Sequence, residues 1–198
     1  MDLNKWNKLE QNHPVYIILG SGGHTGEMCN INQALMGSSK GQELYKPIKY
    51  VLASSDTTSR KKIFLAMQKL NVTINEEDYV EVPRSREVGQ SWLTTIFTAL
   101  WALLWSFWLV WRDKPRLIIC NGPGTCVPFC IAAFALRLLH RLPKNTKIIF
   151  IESFCRVKTL SLSGKLLLHI ADMFVVQWPF LANKYKHKNN LKYFGRLI

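Results

Sequence analysis

Val15-Tyr16-Ile17-Ile18-Leu19-Gly20-Ser21-Gly22-Gly23-His24-Thr25-Gly26-Glu27-Met28 decides the fold. Five consecutive apolar residues read as a strand buried on both faces, and the glycine-rich turn that leaves it opens straight into a helix. Glycines allow the backbone to approach a ligand, while the N–H groups and dipole at a helix start suit phosphate or pyrophosphate oxygens. His24 adds a titratable ring beside that anion.

The same punctuation continues along the chain. Further strands are predicted over 48–53, 79–82, 116–120, 147–152 and 173–177, and helices over 24–36, 57–70, 91–112, 125–140 and 159–170. Runs such as Leu117-Ile118-Ile119 and Ile148-Ile149-Phe150-Ile151 have no polar alternation. This predicts an α/β architecture, a doubly wound parallel sheet covered by helices on each side. Residues 1–13 form a polar lead-in, a single domain occupies 14–198, and the basic stretch Lys184 to Lys192 precedes a final short strand or tail. With 198 residues and 48% hydrophobic content the chain buries a real core, which excludes disorder.

The net charge of +13 is unevenly placed: residues 1–90 hold 11 Lys/Arg against 10 Asp/Glu, and 91–198 hold 15 against 3. An anionic partner is implied for the second half. Nucleic acid is disfavoured, because the aromatics of that half gather in an apolar helix rather than among its surface charges. The five cysteines include no C-x-x-C pair, and Cys126 and Cys130 share a helix face without acidic or histidine neighbours. They read as reduced, buried thiols, and no metal or cofactor is expected.

Three turns should meet on one sheet edge: Gly20 to Thr25, Asn121-Gly122-Pro123-Gly124-Thr125, and Glu152-Ser153. Doubly wound sheets bind ligands at the carboxyl ends of their strands, where the strand order reverses. Asn121 and Thr125 offer side-chain hydrogen bonds, Thr125 is placed to cap the next helix, and Gly122 and Gly124 clear space. His24 reads as a general base, a donor to phosphate, or a plain helix-start residue. Glu152 reads as a partner for a sugar hydroxyl or for Arg156. Arg84 and Arg86 are candidates for pyrophosphate or lipid headgroups, or a solvated cluster. The glycines depart from G-x-G-x-x-G, so a dinucleotide site, with Asp56 as its ribose acid, is the lesser alternative.

Trp92 to Trp111 carries no charge over 20 residues, long enough as a helix to cross a bilayer. A crossing would split the sheet that the flanking strands imply. Ser91, Thr95, Thr98, Ala102 and Ser106 form a small-residue stripe for packing on a sheet, whereas Phe97, Trp101, Trp105 and Trp108 form an aromatic stripe. Basic residues Arg84, Arg86, Arg112, Lys114 and Arg116 flank the segment. Membrane-surface contact through Trp101, Trp105 and Trp108 is the preferred reading, with a protein interface or core as the alternative.

Several blocks then stand in order: G-S-G-G-H-T-x-E at 20–27, P-R-S-R-E-V at 83–88, C-N-G-P-G-T at 120–125, E-S-x-C-R-V at 152–157 with S-x-S-G-K at 161–165, and V-Q-W-P at 176–179. From about Val15 to Ile198 the chain closely resembles the acceptor-side, membrane-recruiting subunit family of the UDP-N-acetylglucosamine (UDP-GlcNAc) transferase of dolichol-linked oligosaccharide synthesis. The resemblance implies a Rossmann-like domain, the amino-terminal half of a GT-B glycosyltransferase, related to that of bacterial MurG. It implies a separate catalytic subunit that binds the UDP-sugar, and addition of the second GlcNAc to GlcNAc-diphosphodolichol at the cytosolic face of the endoplasmic reticulum membrane. Gly20, Gly22, Gly23 and Thr25 would then face the lipid-linked diphosphosugar acceptor, with Asn121, Gly122, Gly124, Thr125 and Glu152 alongside, and His24 would be the base. Phe194, Gly195, Arg196, Leu197 and Ile198 would dock the partner. The family usually begins with a membrane-spanning anchor, whereas residues 1–13 are polar, which turns attention to the aromatic helix. The competing readings are a free-standing nucleotide-dependent enzyme and a peripheral membrane adaptor without an active pocket.

Overall fold

The computed structural model describes residues 13–85, 90–122 and 125–197. Seven parallel strands form one sheet: β1 (Val15–Ile18), β2 (Ile48–Ala53), β3 (Tyr79–Val82), β4 (Leu117–Asn121), β5 (Lys147–Ile151), β6 (Met173–Val176) and β7 (Leu191–Tyr193), in the order β3-β2-β1-β4-β5-β6-β7. The chain runs outward from β1 to one edge and then returns to the other side of β1. The switch point is therefore the β1/β4 pair, with Ile18 in register with Cys120. All six predicted strands are present, as is the final short strand.

Alternate residues of each strand feed two separate cores. Tyr16, Ile18, Ile118, Cys120, Ile148 and Phe150 point to one, whereas Val15, Ile17, Ile119 and Ile151 point to the other. A sheet buried on both faces has no use for polar alternation, which is why its strands read as continuous apolar runs. The first core is covered by α4 (Trp92–Asp113) and α5 (Cys126–Leu138), the second by α1 (Gly23–Met36) and α3 (Thr57–Gln68). The cysteines of the first core are thiols: Cys120 Sγ lies 3.4 Å from Cys130 Sγ, and Cys126 Sγ donates to the Asn121 carbonyl at 3.3 Å. Hydrogen bonding with Cys126 and Cys130, together with burial, pushes the Cys120 thiol well above its ordinary range.

Among the described residues, three short α-helices and a single 3-10 turn (Glu76–Asp78) complete the fold. α2 (Ser39–Tyr45), absent from the sequence expectation, forms because Ser38 Oγ accepts from Gly41 N at 3.1 Å. α6 (Leu162–Leu167) is half the predicted length, because Ser161 caps it late. α7 (Pro179–Lys184) was hidden by its six-residue length, although Pro179 marks its first turn.

α4 meets the length and composition needed to cross a membrane, yet it joins two strands of one continuous sheet. Ala102, Ser106, Leu109 and Val110 are buried, the last two within the core shared with α5. α4 packs chiefly against α5 and, within the sheet, touches the edge strand β3; of the small-residue stripe, Ala102 and Ser106 are buried while Ser91 is exposed. Thr98 Oγ1 donates to the Ser85 carbonyl at 2.9 Å. The aromatic stripe is left outside: Phe97, Trp101, Trp105 and Trp108 are exposed by 75%, 59%, 38% and 44%, continued by Ile96, Leu100, Leu104 and Trp111.

Among the basic residues at the end of α4, Arg112 and Lys114 are exposed, and only Arg116 departs from the flank expected of it. Arg116 is buried and donates to the carbonyls of His13, Leu44 and Lys46 at 3.0, 2.8 and 3.0 Å. It ties the start of β4 to the approach of β1 and β2, and it is not a membrane contact. Arg112 lies over the Trp108 ring at 4.6 Å and pairs with Asp113, which also accepts from Lys49 and Tyr16.

Candidate functional site

The turn after β1 and the end of β4 meet at the switch point, as the strand order requires. Gly22, at φ +65°, is the N-cap of α1 and gives it no side-chain cap, and the first turn contains no acidic residue. The N–H groups of that turn are consequently open to an anion. Lys62 Nζ, from α3, lies 3.5 Å from the Gly22 carbonyl and adds positive charge nearby.

His24 stands one residue into α1 and is half-buried. Its Nδ1 is 2.9 Å from Asn121 Oδ1. Asn121 is fully buried, and its Nδ2 donates to Glu27 Oε2 at 2.8 Å. Glu27 also receives Ser153 Oγ at 2.8 Å and Phe154 N at 3.2 Å, with Gln177 Nε2 at 3.5 Å. One chain of polar contacts therefore joins all three loops of the sheet edge. Glycines close on His24 from two sides: a Cβ on Gly20 would stand 2.8 Å from His24 Cβ, and one on Gly122, at φ +91°, would stand 2.7 Å from its ring.

An open cavity of about 470 Å³ lies beside this group, lined by Gly23, His24, Glu27, Glu152, Ser153 and Arg156 among others. Glu152 is 1% exposed, and both its oxygens are committed: Oε1 to Ser153 N at 3.1 Å, Oε2 to Ser161 N at 3.0 Å and Ser161 Oγ at 3.1 Å. Burial pushes its carboxyl above the usual range despite those donors. Arg156, its expected ion-pair partner, is exposed and acts on it only through its charge. Glu152 thus braces the cavity wall.

Two other expected contacts, Thr25 and Asp56, are structural, and the side-chain cap expected of Thr125 is not made. Thr25 is fully buried, its Oγ1 donating to the Gly20 carbonyl and lying 2.5 Å from Ser59 Oγ, so it holds the turn shut instead of facing a ligand. Thr125 occupies the N-cap of α5 without a side-chain cap bond. Asp56 caps α3 through Ser59 N at 3.0 Å, which removes the ribose acid of the dinucleotide alternative. Pro123, Gly124, Arg86 and Ile198 lie outside the described residues.

At the carboxyl end Arg196 lies over the Trp178 ring at 4.6 Å and the Phe154 ring at 5.7 Å. Leu197 packs half-buried on the second core, and its N donates to Gln177 Oε1 at 3.3 Å. Gly195 turns the chain at φ +87°, and Phe194 is 64% exposed. Glu27 and Gln177 are the residues sequence reasoning passed over. The signal for Glu27 was present: three residues after His24, it shares that histidine's helix face.

A seven-stranded parallel sheet with its site at the β1/β4 switch point is the architecture of one half of a GT-B protein. The chain superposes on Acinetobacter baumannii MurG with a TM-score of 0.57 at 14% identity, covering 85% of this chain and 42% of that one. A UDP-N-acetylglucosamine 2-epimerase superposes with a TM-score of 0.59 at 12% identity, over 91% and 45%. The chain spans less than half of either structure. The model of the family described as "Oligosaccharide biosynthesis protein Alg14 like" matches residues 15–197, and the chain belongs to that family. It is 46% identical to the UDP-N-acetylglucosamine transferase subunit ALG14 of Rattus norvegicus, covering 92% of this chain and 82% of the relative. It is 47% identical to the subunit of the same name from Schizosaccharomyces pombe, over 86% and 78%, and 42% identical to that of Homo sapiens, over 93% and 82%.

Proposed function

We propose that this chain is the acceptor-side subunit of a UDP-GlcNAc transferase that adds the second GlcNAc to GlcNAc-diphosphodolichol, and that it brings a donor-binding catalytic subunit to the cytosolic face of the endoplasmic reticulum membrane. The observation that carries the reading is the open cavity at the switch point, with His24 and an uncapped helix start, on a sheet that makes up only half of a two-domain transferase architecture. Half of such a cleft holds one substrate. The diphosphate sits against the open N–H groups of Gly22, Gly23 and His24, and the acceptor sugar reaches the imidazole.

In the transfer, the acceptor hydroxyl oxygen attacks the anomeric carbon of the UDP-sugar, the bond from that carbon to UDP breaks with its electron pair leaving on UDP, and the hydroxyl proton passes to His24 Nε2. A base so placed contributes about 10²- to 10⁴-fold. The exposed tryptophans of α4 and the basic second half supply two weak membrane attractions that reinforce each other. The stacked Arg196 and exposed Phe194 form the docking patch for the catalytic subunit.

Transfer of GlcNAc to a lipid-diphosphate GlcNAc acceptor, measured with the chain alone and with its candidate partner, tests this reading. Activity only with both chains supports it. Activity of the chain alone favours a free-standing enzyme, and no dependence on the chain favours an adaptor. Near-normal turnover in His24→Ala would remove the histidine from the chemistry.

A further inference from the structure

We infer that Glu27, acting through Asn121, sets the tautomer of His24: the buried carboxylate fixes which end of the Asn121 amide faces the histidine, and so holds the neutral ring's proton on Nδ1 and leaves Nε2 bare toward the cavity. Every close partner of Glu27 is a donor: Asn121 Nδ2, Ser153 Oγ, Phe154 N and Gln177 Nε2. An ionised carboxylate only accepts, so the amide nitrogen of Asn121 must turn toward Glu27. Reversing the amide would set two acceptor oxygens 2.8 Å apart in a site with no room for water, since Asn121 is fully buried.

With its nitrogen held, Asn121 presents only Oδ1 to His24, at 2.9 Å from Nδ1. An oxygen there accepts, so Nδ1 carries the hydrogen, and the bond at one ring nitrogen determines the state of the other. Nε2 makes no hydrogen bond among the described residues. Gly20 and Gly122, pressed against the ring and its Cβ, keep the imidazole in the plane this relay needs. Glu27 is thus a positioning residue, two hydrogen bonds removed from the imidazole whose Nε2 does the chemistry. Its catalytic consequence rests on the transfer reaction proposed above, but the tautomer does not.

The test uses the complex of this chain with its donor-binding partner, with only this chain labelled by ¹⁵N-histidine. Its five histidines are few enough for His24 to be assigned by loss of its signals in His24→Ala. Long-range ¹H–¹⁵N spectra of the neutral state should show Nδ1 protonated in the unsubstituted chain. Glu27→Gln should keep that pattern, because the Phe154 N–H demands an oxygen at Oε2, which still accepts from Asn121. Glu27→Met removes the acceptor, and an Nε2–H population should appear. Transfer should follow: kcat falls by at least about tenfold in Glu27→Met with an acceptor KM changed less than about threefold, and Glu27→Gln restores most of it. If Glu27→Met does not fold, Glu27→Asp, which withdraws the carboxylate by one methylene, is read the same way. An Nε2–H tautomer in the unsubstituted chain, or an unchanged tautomer in the folded disrupting variant, overturns the inference. An Nδ1–H tautomer together with full activity of His24→Ala would instead sink only the base role.

Discussion

Gly122 lies so close to His24 that a Cβ on it would stand 2.7 Å from the imidazole Cγ, and its φ of +91° is one that side chains rarely adopt. The end of β4 therefore serves as a wall against which the histidine of α1 is set, 98 positions earlier in the chain. Gly122→Ala should push the ring off its contact with Asn121. Combined strain and overlap should cost about 1–3 kcal/mol in thermal unfolding. Glycosyl transfer should fall by more than about tenfold, since small displacements of a reacting group are costly. A variant that melts lower but turns over normally would show that the wall does not set His24.

Gly164 plays the same part for Glu152. A Cβ there would stand 2.1 Å from Glu152 Oε2, inside the two hydrogen bonds from Ser161. Gly164→Ala should destabilise the chain by about 1–3 kcal/mol, measured by denaturant unfolding. An unchanged midpoint would mean that α6 moves away freely.

Asp113 fastens α4 to the sheet, accepting from Tyr16 Oη at 2.5 Å, Lys49 Nζ at 2.9 Å and Arg112 Nε at 2.5 Å. Burial alone would raise its carboxyl, but the hydrogen bonds from Arg112, Tyr16 and Lys49 outweigh it and hold the group at about 2. A depressed carboxylate stabilises fully above its ordinary value near 3.8, and that contribution is lost as pH falls toward 2. Melting temperatures of Asp113→Asn should be lower than those of the unsubstituted chain at pH 7, and the gap should close between about pH 4 and pH 2. A gap that stays constant over that window would contradict the assignment.

Trp101, Trp105 and Trp108 stack along α4 with ring centroids 6.5 and 5.1 Å apart, largely exposed. Changing all three to Ser should lower the melting temperature only modestly, because between 38% and 59% of each residue's surface stays exposed in the folded chain. Flotation with vesicles containing anionic lipid should drop severalfold, and added salt should weaken what remains. Flotation equal to that of the unsubstituted chain would assign this face to a protein contact.

Removing Phe194 to Ile198 should abolish co-purification of the donor-binding subunit while leaving the sheet folded, because the segment follows the last strand. Arg196→Ala alone, which takes the guanidinium from the Trp178 ring, should weaken binding by about tenfold, since Arg is a frequent hot-spot residue. Retained binding of the truncated chain would place the docking surface elsewhere.

Much of this was legible locally. The apolar runs of β1, β4 and β5 name a sheet buried on both faces, and Gly20 to Gly23 after β1 marks the edge where the candidate site lies. The aromatic stripe of α4 was legible because helical spacing alone separates Phe97, Trp101, Trp105 and Trp108 from Ala102 and Ser106. What was not legible were the tasks of polar residues. Thr25 and Asp56 look like ligand contacts in sequence, and they turn out to hold backbone. Arg116 looks like a membrane flank, and it is buried among three carbonyls of two distant segments.

The sequence by itself determined the strand pattern, the family and the sheet edge at which the glycine-rich turn, Asn121 and Glu152 meet, because hydrophobic period and turn chemistry act between near neighbours. Only the tertiary structure decided the meeting of Glu27, Asn121 and His24, the commitment of Glu152 to Ser161, and the outward face of α4. Asn121 and Glu27 are 94 residues apart, and Ser153 and Glu27 are 126 apart. A buried donor or acceptor must be matched by whatever the fold brings beside it, and no local pattern encodes that choice.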